Sequence, residues 1–355
     1  MLYRETGLFS TTYEQDRQLL PLTQDRIGMA LLVFVAVVVI PMFASEYWLS
    51  AILIPWLVFA LVALGQNILM GYAGQLSLGS AGFMASGAFA CYNLILRIPG
   101  IPFVVAVILS GLITAGVGIF FGLPSLRVRG LYLAVATLAS QFFIVWLLEK
   151  FAWFKNYDPA GVITAQKIVV LGQTFDKPHE KYLVVLVIVA VLALLAKNMA
   201  RGSTGRAWRA VRDMDVAAEA MGISLLRTKL QAFAISSFYC GVGGALYAFA
   251  YLQTVEPSAF TIDLSFRILF MVIIGGLGTI MGSFLGAGFI LLMPIFLNAF
   301  FHGMFGHAID ASLISAVEQI VFGVMIIAFL IVEPLGLARI WQLTKERLRL
   351  WPFRH

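Results

Sequence analysis

Charged residues are scarce in this chain of 355 residues, of which only 12% are Asp, Glu, Lys or Arg and 61% are hydrophobic. Soluble domains carry about 25% charged and about 45–50% apolar residues. A water-soluble fold has no means of hiding so much apolar surface. The composition therefore excludes the soluble classes and predicts an integral membrane protein.

Cysteine is equally scarce, and the sequence also lacks the motifs of a nucleotide-binding site and of a metal site. Cys91 and Cys240 both lie in apolar stretches, which leaves neither a disulfide framework nor a CxxC site. No lysine follows a glycine, whereas a phosphate-binding P-loop needs that pair. His302 and His307 lack a nearby third ligand, so they do not indicate a metal site. We expect no cofactor, no metal and no catalytic cluster.

The formal net charge of +6 does not indicate a nucleic acid partner, because the basic residues fall between apolar runs and form no polar face. They are better explained by orientation in a membrane, where cytoplasmic loops carry the excess of Lys and Arg. With the amino terminus inside, 17 of the 24 basic residues are cytoplasmic. We predict that both termini face the cytoplasm.

Ten segments reach or approach the roughly 20 apolar residues that a helix needs to cross a bilayer. Because open sheet edges cannot face lipid, each run is predicted to be a helix. The fold class is therefore an all-α polytopic membrane protein. The ten spans lie near 28–44, 50–71, 76–96, 102–123, 131–149, 182–197, 231–252, 265–281, 283–301 and 312–333.

This pattern predicts a single transmembrane domain over residues 28–338, between a cytoplasmic segment 1–27 and a basic cytoplasmic tail 339–355. Two glycine-rich stretches, Gly71–Gly87 and Gly275–Gly288, fall at the third span and at the eighth to ninth. Five spans separate them, which suggests an inverted five-plus-five repeat with broken helices. The alternative is that these glycines only tighten helix packing.

The longest cytoplasmic loop, 198–230, contains a predicted helix from Ala207 to Ala220 that is followed by Gly222. Apolar residues of this region share one face, and charged residues fall largely outside it. Such a helix is suited to docking in the groove of a partner protein, with anionic lipid headgroups as the alternative surface. The apolar residues are Trp208, Val211, Ala218 and Met221.

The motif residues resemble those of a known family. Glu219-Ala220-x-Gly222 resembles the EAA loop of ABC importer permeases. The segments Gly71–Gly79, Arg127–Ala139 and Gly275–Ala287 are similar to branched-chain amino-acid permeases of the LivM type, in that family's order. Ser80 differs, because the family usually has histidine there.

This resemblance implies a transport subunit of a bacterial inner membrane that moves branched-chain or related amino acids and is not itself an enzyme. Its partners would be two cytoplasmic ABC ATPase subunits, a second homologous permease and an extracytoplasmic substrate-binding protein. The expected ATPase-coupling residues are Arg209, Arg212, Asp213, Glu219, Ala220, Gly222 and Lys229. The expected translocation pathway contains Gly71, Gly74, Gln75, Ser77, Gly79, Gly275, Gly276 and Gly278.

Two other functions stay open at this point. Urea and short amides are an alternative cargo, because the family's urea permeases look similar. A secondary transporter would instead need ionisable groups inside the membrane, for which Glu318 in the last predicted span is the clear candidate.

Overall fold

The computed structural model describes residues 23–125, 130–157, 163–166, 168–170, 173–305 and 336–350, with single positions between 317 and 331. Long apolar runs form helices because a helix satisfies every backbone polar group within its own segment. The first six helices are α1 (Thr23–Phe34, then π-helical Val35–Val39, then Ile40–Phe43), α2 (π-helical Trp48–Leu53, Ile54–Asn67, π-helical Ile68–Tyr72), α3 (Ser80–Arg97), α4 (Phe103–Ser125), α5 (Leu131–Lys150) and α6 (Pro178–Arg201).

Two short helices separate α6 from the remaining long ones. The second six are α7 (Ser203–Asp213), α8 (Asp215–Ala220), α9 (Leu225–Leu246, then π-helical Tyr247–Leu252), α10 (Ile262–Gly275), α11 (Ile280–Phe305) and α12 (Leu337–Leu350). Small antiparallel ribbons join helix ends: β1 (Ile163–Thr164) pairs with β4 (Thr254–Val255), and β2 (Ile168–Val170) pairs with β3 (Gln173–Phe175). Pro257–Ala259 forms a 3-10 turn before α10.

The all-α polytopic prediction is confirmed, since eight helices among the described residues are long and apolar enough to cross a membrane. Helix α3 is not one of the eight, because serine, glycine and Asn93 lower its hydropathy. Most of its side chains are nevertheless buried by neighbouring helices, so it needs little lipid-facing surface. The tenth predicted span, 312–333, lies largely outside the described residues, and the total of ten stays a prediction.

Two predicted boundaries are wrong at glycines, and a third is wrong at α9, which begins at Leu225 and not at 231. The third span was expected from residue 76, but α3 begins at Ser80, and residues 74–79 are neither helix nor strand. The eighth was expected to reach residue 281, but α10 ends at Gly275. Non-helical backbone is tolerated at membrane depth only where it is buried in protein or lines a cavity, and most of residues 71–80 are buried.

Helix α9 lies at the centre of the bundle and packs on α2, α3 and α4. Small residues allow the backbones to approach closely, as at Gly87, where an added Cβ would overlap the backbone of Gly241. Tyr239 of α9 donates its hydroxyl to the carbonyl of Leu192 in α6 (2.7 Å). This close packing holds α2 and α3 in place around the break that separates them.

Candidate functional site

The two breaks at glycines, one between α2 and α3 and one between α10 and α11, lie against each other. An added Cβ on Gly71 would overlap the backbone nitrogen of Gly278, so the two backbones are in direct contact. Gly278 also has a φ of +74° and Gly276 a φ of +117°, values that favour glycine. We name Gly71, Gly74, Gly276 and Gly278 the glycine junction. Sequence analysis placed these residues in one pathway, and the structure brings them together.

Asn67, which sequence analysis missed, fastens the two breaks. Its side chain is fully buried, and Oδ1 accepts a hydrogen bond from the backbone nitrogen of Gly278 (2.7 Å). Nδ2 donates to the carbonyl of Thr279 (2.7 Å) and to Ser283 Oγ (3.0 Å). These bonds satisfy backbone groups that the interrupted helix leaves free. The polar pair Gln66-Asn67 within an otherwise apolar run was the available signal in the sequence.

Arg212 joins the glycine junction to the α7–α8 segment (residues 203–222). Its Nη1 donates to the carbonyl of Gly71 (2.8 Å), while Nε and Nη2 each lie 2.9 Å from Asp213 Oδ1. A Cβ on Gly74 would stand 2.7 Å from Arg212 Cγ, and Gly74 has a φ of +69°. Arg212 is a predicted coupling residue, whereas Gly71 and Gly74 are predicted pathway residues. The two predicted sites are therefore in contact.

The α7–α8 segment differs from its predicted form. The sequence favoured one helix from Ala207 to Ala220, but Met214 is extended (φ −155°, ψ 100°) and divides it. Trp208, Val211 and Ala218 are buried, as their shared face requires. Met221 was expected on that face and is 70% exposed, because the break at Met214 changes the direction of the following turn.

Gly222 ends α8 in the left-handed conformation, with a φ of +84°. Its nitrogen donates to the carbonyl of Glu219 (2.9 Å), and the nitrogen of Ile223 donates to the carbonyl of Ala218 (3.0 Å). Bonds of this kind satisfy the last carbonyls of a helix and typically need glycine at the left-handed position. No atom lies within 4 Å of an added Cβ, so the need at this position is conformational and not steric.

The remaining predicted coupling residues lie in three different places. Arg209 is directed towards α6, since Nε donates to the carbonyl of Gly205 (3.2 Å) and Nη2 to that of Ala200 (3.2 Å). Glu219 and Lys229, by contrast, line a cavity of about 440 Å³ beside α8 together with Gly222. Ala220 is exposed at the end of α8.

Exposed apolar side chains accompany these charges. Met214, Val216 and Met221 are each at least 70% exposed, and we name them the apolar patch. Sequence analysis missed the first two, because a continuous helix was assumed. Exposed apolar side chains that lie together mark interaction surfaces, which makes these three candidates for one.

The other predicted pathway residues lie in the non-helical stretch before α3. Gln75 and Ser77 are buried, and neither side-chain amide atom of Gln75 has a hydrogen-bond partner in the described part of the chain. The Ser77 carbonyl accepts a hydrogen bond from Gln66 Nε2. Gly79 is packed so closely on α5 that an added Cβ would lie 2.9 Å from the Thr137 carbonyl.

A buried polar cluster surrounds the amino-terminal end of α3. Thr137 Oγ1 accepts from the nitrogen of Leu78 (2.9 Å), and Ser265 Oγ accepts from that of Ala81 (2.9 Å). Ser265 Oγ in turn donates to Gln141 Oε1 (2.6 Å), and Ser80 Oγ lies 3.3 Å from Ser265 Oγ. Sequence analysis missed Thr137, Gln141 and Ser265. We name Ser77, Ser80, Thr137, Gln141 and Ser265 the polar cluster.

Glycine also tightens packing, which was the alternative interpretation. A Cβ on Gly286 would overlap the carbonyl of Met271, and one on Gly282 would meet the backbone of Gly275. Packing thus accounts for Gly275, Gly282 and Gly286, whereas Gly276 and Gly278 form the break.

Ionisable residues contribute little to the described interior. Among the described residues, no charged side chain is buried, and no three His, Cys, Asp or Glu side chains form a group that could hold a metal ion. Glu318 and His307 lie outside the described residues.

Comparison with known proteins identifies the family. A profile described as "branched-chain amino acid transport system / permease component" matches residues 48–330. The chain belongs to this permease family. This confirms the resemblance seen in the glycine-rich motifs and makes the chain a multi-pass transport permease of the membrane. No solved structure matches it.

Three relatives of this permease are informative. The high-affinity branched-chain amino acid transport system permease proteins LivM of Salmonella typhimurium and Escherichia coli are each 31% identical over 246 residues, 63% of this chain. The match spans only 57% of the length of either relative. The probable branched-chain amino acid transport permease protein LivM of Methanocaldococcus jannaschii is 22% identical over 329 residues, 81% of this chain and 92% of that protein. All three are named as permeases and none as an enzyme.

Proposed function

We propose that this permease is the membrane-spanning subunit of an ABC importer that moves branched-chain or related amino acids into the cytoplasm. ATP would be hydrolysed by two separate cytoplasmic subunits. A second permease subunit and an extracytoplasmic binding protein would complete the transporter in a bacterial inner membrane. The excess of basic residues in one set of loops supports an orientation with both termini and loop 198–230 in the cytoplasm.

The observation that carries this proposal is the contact between Arg212 and the glycine junction. An ATPase that moves the α7–α8 segment would pull directly on the carbonyl of Gly71, through the 2.8 Å hydrogen bond from Arg212 Nη1. Gly71 contacts Gly278, and Asn67 of α2 bonds across that contact to Gly278 and Thr279. One displacement would therefore reach both helix breaks together.

The ATPase would dock on the apolar patch and on the adjacent cavity beside α8. Burying an exposed Met or Val side chain stabilises an interface by roughly 1.5–3 kcal/mol. In residues 203–222 three acidic residues balance three arginines, so the segment has no net positive charge to attract anionic headgroups. This favours a protein groove over the membrane surface as the partner of the segment.

The route would pass through the non-helical stretch before α3 and the polar cluster. Backbone groups of broken helices bind zwitterionic substrates and ions in other transporters. The buried polar side chains of the described residues are all neutral, which suits a zwitterion and provides no carboxylate for proton coupling. The unpartnered amide of Gln75 has both a donor and an acceptor to offer to the substrate.

Uptake measurements in right-side-out membrane vesicles, with the ATPase and binding protein supplied, test this function. The proposal predicts uptake of radiolabelled leucine that stops when ATP is depleted and continues in the presence of an uncoupler. Uptake that follows the proton gradient would contradict it. Competition by excess urea but not by isoleucine would instead favour an amide cargo.

A further inference from the structure

An apolar groove runs along α3, away from the glycine junction. Its volume is about 680 Å³. Phe89 and Ala90 of α3 form the floor, and Phe120 of α4 and Phe143 of α5 form the walls. Both α4 and α5 pack more extensively on α3 than on each other, which leaves the groove open between them. The wall side chains are about half exposed or more, so this surface is uncovered within the described chain.

The groove has the length of one bilayer leaflet. Its lining on α3 extends from Ser86 to Arg97. Eleven steps at 1.5 Å per residue give about 16 Å. The hydrocarbon region of a single leaflet is about 15 Å, half of the bilayer's roughly 30 Å. The groove therefore reaches from a charged end at one membrane surface to an apolar end near the midplane.

The charged end presents a fixed guanidinium. Arg97 Nε donates to Asn93 Oδ1 (3.1 Å) and Nη2 donates to the carbonyl of Trp153 (3.1 Å). The guanidinium carbon lies 3.8 Å from the centroid of the Trp153 ring. A planar guanidinium that is stacked and pre-oriented in this way is well suited to bind phosphate. Lys150 and Lys155 flank Trp153 in the chain, and with Glu149 beside Lys150 they still add net positive charge.

We propose that the groove binds one acyl chain of an anionic phospholipid, whose phosphate lies on Arg97. Its apolar lining and its length match one extended hydrocarbon chain of a lipid in a single leaflet. The positive charge at its mouth selects an anionic headgroup.

Two substitutions separate the acyl-chain contact from the headgroup contact. Gly116 of α4 lines the groove, and no atom lies within 4 Å of its added Cβ, so Gly116→Phe adds bulk to the groove from an open position. Arg97→Gln removes the positive charge and adds no bulk to the groove. Ile119→Phe is the matched control, because Ile119 is an exposed residue of α4 that does not line the groove.

The experiment measures lipid binding to the full-length chain in detergent by native mass spectrometry, with dioleoylphosphatidylglycerol or dioleoylphosphatidylcholine as the probe. Arg97→Gln is expected to weaken phosphatidylglycerol binding about fivefold and to leave phosphatidylcholine unchanged. Gly116→Phe is expected to weaken both lipids, whereas Ile119→Phe retains both. Circular dichroism and size-exclusion chromatography confirm that each variant is folded.

Two results would overturn this inference. Equal binding of both lipids to wild type, Gly116→Phe and Arg97→Gln would show that the groove holds no lipid. Disulfide-linked dimers formed in high yield by Gly116→Cys in membranes would show that a second copy of the chain covers the groove.

Discussion

The guanidinium of Arg212 lies 2.8 Å from the carbonyl oxygen of Gly71, although 141 residues separate the two in the chain. Arg212 belongs to the segment outside the bundle, whereas Gly71 belongs to the end of a membrane helix. A hydrogen bond to a charged group contributes roughly 1.5–3 kcal/mol. This bond is therefore strong enough to transmit a movement of the α7–α8 segment to α2.

Arg212→Ala is expected to lower ATP-driven uptake about tenfold or more, because the link to Gly71 is removed. The ATPase subunits should still bind and hydrolyse ATP, so transport and hydrolysis become uncoupled. Arg212→Lys should restore little uptake, since one ammonium group cannot bond to both the Gly71 carbonyl and Asp213 as the guanidinium does. The matched control is Arg206→Ala, whose guanidinium bonds only to the exposed carbonyl of Arg201 (3.3 Å) in the described chain. Equal uptake by the two alanine variants would argue against a link through Arg212.

Gly71→Ala is expected to separate the two helix breaks, because its methyl group would overlap Asn67 Oδ1 and the nitrogen of Gly278. Uptake should fall severely, and the thermal unfolding midpoint in detergent should drop as well. Gly28→Ala is the control, since no atom lies within 4 Å of its added Cβ. Uptake by Gly71→Ala at the wild-type rate would show that the glycine junction accommodates the added methyl group.

Asn67→Leu is expected to destabilise the folded protein by a few kcal/mol, because the nitrogen of Gly278 and the carbonyl of Thr279 lose their partner inside the bundle. The measurement is the unfolding midpoint of the purified chain. Asn298→Leu serves as the control, because Asn298 bonds to the Pro294 carbonyl of its own helix (2.9 Å). A larger loss of stability in Asn298→Leu than in Asn67→Leu would contradict this role of Asn67.

Gly222→Val is expected to abolish uptake while the subunit stays inserted in the membrane. A left-handed residue with a side chain costs about 1–2 kcal/mol, and a β-branched side chain is an outlier there. Gly222→Asn should retain most of the uptake, because asparagine tolerates the left-handed region. If both variants transport normally, the helix end shaped by Gly222 has no part in docking.

Val216→Ser with Met221→Ser is expected to weaken ATPase binding at least tenfold, through the loss of apolar surface from the interface. Leu343→Ser in α12 is the control, as an exposed apolar residue of the basic tail. Binding of purified ATPase to the chain in nanodiscs measures the effect. Undiminished binding by the double variant would place the docking surface elsewhere.

The helices were predictable from the sequence because each apolar run has no alternative to helix in lipid. The glycine motifs also marked both breaks. Their mutual contact was not predictable, because the hydrogen-bond partners of Asn67, Thr137, Gln141 and Ser265 are distant in the chain. The break at Met214 was also not predictable, because residues 207–220 contain neither glycine nor proline and have the propensity for one helix.

The most direct test of a permease driven by separate ATPase subunits uses proteoliposomes with and without those subunits. With the complete transporter and binding protein present, leucine should accumulate against its gradient when ATP is supplied to the face that carries the α7–α8 segment, and Arg212→Ala should hydrolyse ATP with little accumulation. Accumulation of leucine by the purified chain alone would contradict the account.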